Sequence, residues 1–313
     1  MGRVIDPFNA LGLAKPPIRV GVTTLDLTPP FMLPKWELLR LGLADHFQEP
    51  VQFELLTPRQ IRVHLGTGRL KFALLRPQDF VQVAPAQMCE ILGVPINPNG
   101  QSYLQGLIIV SAKSPVHALS EVKSRRFHFM PHGDLLNDAA RGALMEAGIG
   151  DKDVDKGIPL PILDTHHISS LEVAKSVVLE EGGNAAGVID EADYNKWPDK
   201  GGSFVLLRPS KDQVRVLDKT VRIPGGPFVA SVNTPPELKE KAIDFLFNVA
   251  PKNHKLALLA LDCKGFDKPV DAKAYEPFGE IYLNLHPPKA GPPSSEEADS
   301  VTQPSNDNPS NGA

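Results

Sequence analysis

Apolar positions along the chain fall into short runs that alternate with helical stripes. Residues 19–26 (RVGVTTLD) form a brief apolar run with a polar end, which predicts a buried strand. Residues 32–47 place Trp36, Leu39 and Leu43 on one face at helical spacing. Residues 51–57 (VQFELLT) alternate as a strand does, and 58–65 predict a short helix closed by Gly66. Residues 71–77 (KFALLRP) predict a buried strand, followed by a helix running through Val83 to Leu92. Strand and helix in alternation with short connections predict an α/β fold with a parallel, doubly wound sheet.

A long extended stretch, SYLQGLIIVSAK (102–113), then leads away, and the same pattern begins again. Ser114 opens a small predicted helix (SPVHALSEVK), FHFMP is a strand, and residues 134–147 are a helix stopped by Gly148. PLPILDT (159–165) is extended, 169–181 helical, and AAGVID (185–190) a strand. Residues 203–210 and 213–220 read as strands; after the turn IPGGP come an extended run, FVASV (228–232), and helices over 235–249 and 253–261. Two extended passages, near 107–113 and 222–232, thus bracket the second block. They predict a discontinuous first lobe (1–107 and 228–286) with a second lobe (108–227) inserted, and a cleft between them as the default ligand site. From 287 to 313 the chain is Pro, Ser, Asn, Asp and Gly with little to bury, so a disordered, dispensable tail is expected.

Composition narrows the functions. Hydrophobic content of 42% and charged content of 22% in 313 residues are those of a globular protein with room for two modest lobes. The net charge of −4 is concentrated in the tail, where Lys289 faces Glu296, Glu297, Asp299 and Asp307. No basic run exceeds Arg125-Arg126, so nucleic-acid partners are not expected. Cys89 and Cys263 supply no metal spacing and read as a reduced pair. Asp6, Pro7, Asn9, Lys15 and Pro16-Pro17 interrupt every apolar run near the start, short of the about 7 to 15 residues of an export signal. Nothing approaches the about 18 apolar residues of a membrane span. As written the chain reads as cytoplasmic, or periplasmic if its true start lies upstream. No cofactor is expected: neither a P-loop nor a dinucleotide fingerprint appears, and GTGRL and IPGGP are turn glycines.

The chemistry gathers at strand ends. In FHFMPHGDLLNDAARGAL (127–144) a strand turns at His132-Gly133-Asp134 into a helix, which aims backbone N–H groups above the sheet edge, where an anion is commonly held. Thr23 and Thr24 end the first strand at the equivalent edge. Asp190 stands between the strand AAGVI and the helix EADYNKW, as an N-cap, a ligand contact or both. The adjacent His166 and His167 point to opposite sides of an extended segment and cannot chelate one ion together.

Five stretches in order resemble the solute-binding proteins of phosphonate, phosphate and phosphite ABC transporters, which have the type II periplasmic-binding-protein fold. They are RVGVTT, LGTGRLKFALLRPQDFV, GLIIVSAKSPVHALSEVKSRRFHFMPHGD, LDTHHISSLEVAKSVVLEEGGNAAGVIDEADY and VLDKTVRIPGGPFVASVNTPPELKEKAIDFLF. The resemblance implies two doubly wound lobes and a monomer that closes over a small anionic ligand without covalent chemistry. Its implied partners are ABC-transporter membrane subunits, with no insertion into the membrane by the chain itself. A ligand in the cleft is then expected to meet Thr23, Thr24 and Arg76 on one lobe, and His132, Gly133, Asp134, Leu135, His167 and Asp190 on the other. The chain departs from the pattern where phosphonate binders carry Ser and Thr around the anion. Here the turn reads His132, Gly133, Asp134, Leu135, Leu136, and an ionised Asp134 repels a phosphonate. Arg76, before Pro77, either replaces the missing anion contact from the opposite lobe or pairs with a neighbour. Two other readings remain open: a cytoplasmic enzyme on the same fold, of the menaquinone-pathway type, with Thr23, Asp164, His167 and Asp190 as acid–base candidates, and a scaffold that has lost its ligand.

Overall fold

Val20 and Val22 alternate with small or polar neighbours and are buried, which makes β1 (Ile18–Thr23) an interior strand. In the computed structural model the described residues are 15–23, 33–84, 87–131, 133–150, 152–153, 155–156, 169–203 and 209–287. Helix α1 (Leu33–Phe47) lays Leu39, Leu43 and Phe47 on the sheet. Strand β2 (Val51–Leu56) pairs parallel to β1, with Ile18 opposite Val51. Helix α2 (Pro58–Gly66) begins in a capping box, Thr57 accepting from the Gln60 N–H while the Gln60 side chain reaches back to the Thr57 N–H. Strand β3 (Phe72–Leu74) pairs with β1 on its other side, and α3 (Pro77–Val83) starts with proline at its first position, where no N–H is needed.

The helix expected to run on through Val83 to Leu92 ends at Val83. Gln87 has a φ of +48°, and CEILGVPI becomes β4 (Cys89–Ile96), because an apolar run of this length fits a buried strand as well as a helix. The chain then leaves through β5 (Tyr103–Leu104) into the fully buried β6 (Gly106–Ser111). The small helix expected from Ser114 shrinks to one 3₁₀ turn, Leu119–Val122; Ser114 Oγ accepts from the Val116 N–H and donates to the Gly183 carbonyl instead. Strand β7 (Arg126–His128) leads to α4 (Leu135–Glu146), and β8 (Asp155–Lys156) lies beside β7. Helix α5 (Ser170–Leu179), strand β9 (Ala185–Asp190) and helix α6 (Glu191–Asn195) follow, then β10 (Val214–Lys219). The chain returns through β11 (Ile223–Pro224) into β12 (Phe228–Ser231). Then follow α7 (Pro236–Asp244), a π turn over Phe245–Val249, α8 (Ala250–Asn253), α9 (Lys255–Ala260), β13 (Gly265–Asp267) and α10 (Glu276–Leu285).

Among the described residues the two larger sheets have the orders β13-β4-β12-β3-β1-β2 and β10-β6-β9-β7-β8. Both are mixed rather than all-parallel, because the returning strand β12 runs against β3 and β4, and β6 runs against β9. Phe72 stacks between Phe47 and Phe228 in the first core, with ring centroids 5.8 and 5.6 Å apart. Each such pair adds about 0.5–1.5 kcal/mol to simple burial. Phe127, Leu136, Ala140 and Val188 anchor the second core.

The sheets are joined by the antiparallel pair β5–β11. Gln105 and Thr220 hold the two crossings together: the Gln105 side-chain amide donates to the Thr220 carbonyl (2.8 Å), and Thr220 Oγ1 accepts from the Gly106 N–H (2.8 Å). The Arg222 guanidinium lies 4.7 Å over the Tyr103 ring. Helix α10 supplies a further link. Phe278 packs with Ile223 and Ala139, Ile281 lies over Gly142 of α4, and the His286 ring nitrogen is 3.2 Å from Asp138 Oδ2.

Candidate functional site

The topology decides which edges meet. Gly106, the first residue of β6 after the hinge, pairs with Asp190, so the C-terminal end of β9 faces the hinge; β7, parallel to β9, ends at the same edge. In the first sheet Phe228, the first residue of β12, pairs with Leu74, so the C-terminal ends of β1 and β3 also face the hinge. The cleft therefore lies between two sets of strand ends, as open α/β sheets dictate.

On the second lobe, Gly133 turns the chain at φ +86°, and a Cβ there would meet no atom within 4 Å. Its requirement is conformational rather than steric. Asp134 then caps α4, Oδ1 accepting from the Leu136 N–H at 2.8 Å, and Leu135 opens the helix against the cluster around Ile223 and Phe278. Asn137 holds the turn from behind: Oδ1 accepts from the Met130 N–H (2.8 Å), while Nδ2 donates to the carbonyls of Met130 and Pro131 (2.9 Å each). Asp190 repeats the design one strand away. Its Oδ1 accepts from the Ala192 N–H at 2.9 Å, and its own N–H donates to Ser170 Oγ at 3.0 Å.

Burial raises the Asp134 pKa above the ordinary carboxylate value, against the Leu136 N–H that lowers it, and Asp138 adds to the rise. Burial raises that of Asp190 too, opposed by the Ala192 N–H and reinforced by the charges of Asp193 and Asp134. The Asp134 charge thus reaches Asp190. Each already takes a helix N–H that an anion would use.

The first-lobe edge differs. Thr23 is buried, with 8% of its surface exposed. Arg76 is drawn onto its neighbour Asp79 as a fork, Nε to Oδ2 at 2.5 Å and Nη2 to Oδ1 at 2.9 Å. Asp79 is 1% exposed, so its charge needs this partner, while the arginine side chain stays 36% exposed. Of the two roles open to Arg76, pairing with a neighbour is the one observed, and the pair carries no net charge. Thr23 and Arg76 line a cavity of about 250 Å³ whose remaining walls are mostly apolar, among them Val22, Trp36, Leu74 and Phe266. Sequence reasoning missed these walls. Trp36 and Phe266 are far apart in the chain and carry no polar motif; only their position beside strand ends marks them.

Thr24, His132 and His167 lie outside the described residues, as do the segment 159–165 and the tail from 288. Among the described residues no group of His, Cys, Asp or Glu is arranged to hold a metal ion, and no helix is long and apolar enough to cross a membrane.

The profile of the family described as "ABC transporter, phosphonate, periplasmic substrate-binding protein" matches residues 23–275. No curated protein matches the chain. Among solved structures, XAC2383 from Xanthomonas citri bound to ATP is similar at a TM-score of 0.55 and 15% identity, covering 86% of this chain and 96% of that one. PhnD1 from Prochlorococcus marinus in complex with methylphosphonate is similar at 0.50 and 14%, covering 86% and 99%. Transferrin 1 from Manduca sexta reaches 0.53 at 10%, covering 87% of this chain and 47% of its own. At such identities these likenesses speak for the fold, the two-lobed architecture of type II periplasmic binding proteins. The profile match spans the hinge and both sheets from the end of β1 onward, and the chain belongs to the family of periplasmic substrate-binding proteins of phosphonate ABC transporters, which bind their solutes without acting on them as enzymes.

Proposed function

We propose that the chain is the solute receptor of an ABC importer, and that its solute is a small organic anion carrying its own amine or hydroxyl. Thr23 and Arg76 contact it from the first lobe; Gly133, Asp134 and Leu135, with Asp190, contact it from the second. One observation carries this reading: the two helix N-termini at the second-lobe edge are each capped by a half-buried carboxylate, and the two carboxylates interact. A simple dianion at that edge meets like charge and finds the Leu136 and Ala192 N–H groups already taken. An ammonium or hydroxyl meets acceptors, since among the described residues each cap accepts through Oδ1 alone. The methylphosphonate of the Prochlorococcus marinus protein supplies the anionic half of the reading. Delivery to transporter membrane subunits follows from membership of the family.

Calorimetry with aminoethylphosphonate and methylphosphonate tests this, alongside phosphate, phosphite, sulfonates and carboxylates. The amine-bearing phosphonate is expected to bind at least about tenfold more tightly than the methyl compound, a difference of about 1.4 kcal/mol. Asp134→Asn, which keeps the cap, should shrink that gap. Tight methylphosphonate binding with no preference for the amine would overturn the reading, and so would no binding across the panel.

A further inference from the structure

The cavity at the first-lobe edge has the wrong lining for a phosphonate head group. Its volume is about 250 Å³, and Val22, Trp36, Leu74, Pro95, Leu261 and Phe266 form its walls. We propose that it seats an apolar substituent of the solute, about the size of one aromatic ring with a short linker. This rests on the reading of the cleft as a solute site.

Three observations support the assignment. A mostly apolar concavity at the ligand edge of an α/β sheet is where small-molecule sites form. An apolar cavity of about 150 Å³ is enough to take up benzene, and this one is larger. The polar residues beside it do not make it a charge site. Asp79 neutralises Arg76, and burial pushes the Cys263 thiol up to about 11, so it stays uncharged at neutral pH.

Rigid elements form the walls. Val22, Leu74 and Pro95 belong to β1, β3 and β4, and Gly226 closes the hinge side at a distance no other residue allows: a Cβ there would lie 2.1 Å from the Leu75 carbonyl oxygen. The second-lobe edge, by contrast, offers carboxylates. The solute accordingly sets its hydrocarbon in the first-lobe cavity, its anionic group toward the exposed part of the Arg76 guanidinium and its hydrogen-bond donor toward Asp134 and Asp190.

Pairs of probes that share a head group isolate the tail: methylphosphonate and benzylphosphonate, ethylamine and phenethylamine, propionate and hydrocinnamate. Toluene serves as a probe with no head group at all. Calorimetry is expected to show the aryl member of a binding pair held at least about tenfold more tightly, and toluene should raise the melting temperature. Leu261→Phe fills the cavity and should erase both effects without weakening the methyl member. Val22→Ile, which adds one methylene from another wall, should reduce both and serves if Leu261→Phe does not fold. Equal affinities within every pair that binds, or an aryl preference that survives filling, would overturn the proposal. If no head group binds, toluene decides. A shift in the native protein that is lost in the filled variants keeps the apolar seat and rejects the solute reading, whereas no shift rejects both.

Discussion

The two faces of the cleft are built from the same local pattern and end in opposite chemistry. At the second-lobe edge, β9 and the turn after β7 each run into a helix capped by aspartate, so both helix N-termini carry a negative charge that burial has made costly. At the first-lobe edge, α3 starts with proline and has no side-chain cap; its nearest charge, Arg76, is spent on Asp79, and the surface beside it is apolar. A strand running into a helix therefore fixes where a site lies and leaves open what it holds. The residue at the cap, and whether a nearby cation is already paired, decide that.

Removing the ion pair should disturb the comparison most. Arg76→Ala leaves a buried carboxylate without its partner and should cost about 3 kcal/mol in urea unfolding, the low end for breaking such a pair because the arginine is partly solvated. Arg76→Ala combined with Asp79→Asn should recover more than half of that loss; no recovery would mean that the guanidinium stabilises α3 by packing alone. Next come two glycines, one on each face. Gly226→Ala forces a methyl against the Leu75 carbonyl and should cost about 2 kcal/mol. Gly133→Ala has open space around it and should cost only about 1 kcal/mol, for backbone conformation. Gly133→Asn, better tolerated at positive φ, should cost less still; equal losses at Gly133 and Gly226 would break the distinction between a steric glycine and a conformational one.

The smallest effect is a pH dependence confined to the second face. A carboxyl group whose pKa is raised in the folded protein binds protons more readily there than in the unfolded chain. Stability is then lost as pH rises from the ordinary aspartate value of 3.8 through the raised one, and the loss persists at neutral pH. Asp190→Asn keeps a competent cap and removes the titration, so it should melt higher than the native protein at pH 7 and lose that advantage below about pH 4. An advantage independent of pH would rule out the electrostatic explanation. In the Asp134→Asn background the gain should be smaller, since Asp134 is one source of the Asp190 shift.

How much of this was legible depends on how local each signal is. Strand-then-helix order from β1 to α3, and again from β7 to α6, follows from apolar runs and stripes within a few residues. The caps Asp134 and Asp190 announce themselves as acidic residues immediately before helical spacing. Strand β4 was misread because Val83 and the apolar positions of CEILGVPI continue a helical stripe, and only the backbone at Gln87 breaks it. Helix α10 was not foreseen; Pro277 suits a first turn, but Gly279 close behind it weakens the helical pattern of EPFGEIYLNL. The pairing of Arg76 with Asp79 was visible as a spacing of three, but spacing alone cannot rank a neighbour against a ligand. The apolar cavity had no sequence signal, because its walls join α1 and β1 to the stretch from Leu261 to Phe266.

The position of α10 bears on how the two lobes can turn. Two strands crossing side by side define a line, and a body attached through them rotates about it like a door on its pin. Phe278 touches Ile223 on one of those strands, so this third attachment lies close to the pin, where a degree of rotation displaces atoms least. Asp190, paired with Gly106, and Leu135, in the same cluster as Ile223, also stand near that line, so a rotation about it would move the second-lobe edge little while α4 rolls on α10. In that arrangement α10 would serve as a bearing, held to α4 by Ile281 on Gly142 and His286 on Asp138.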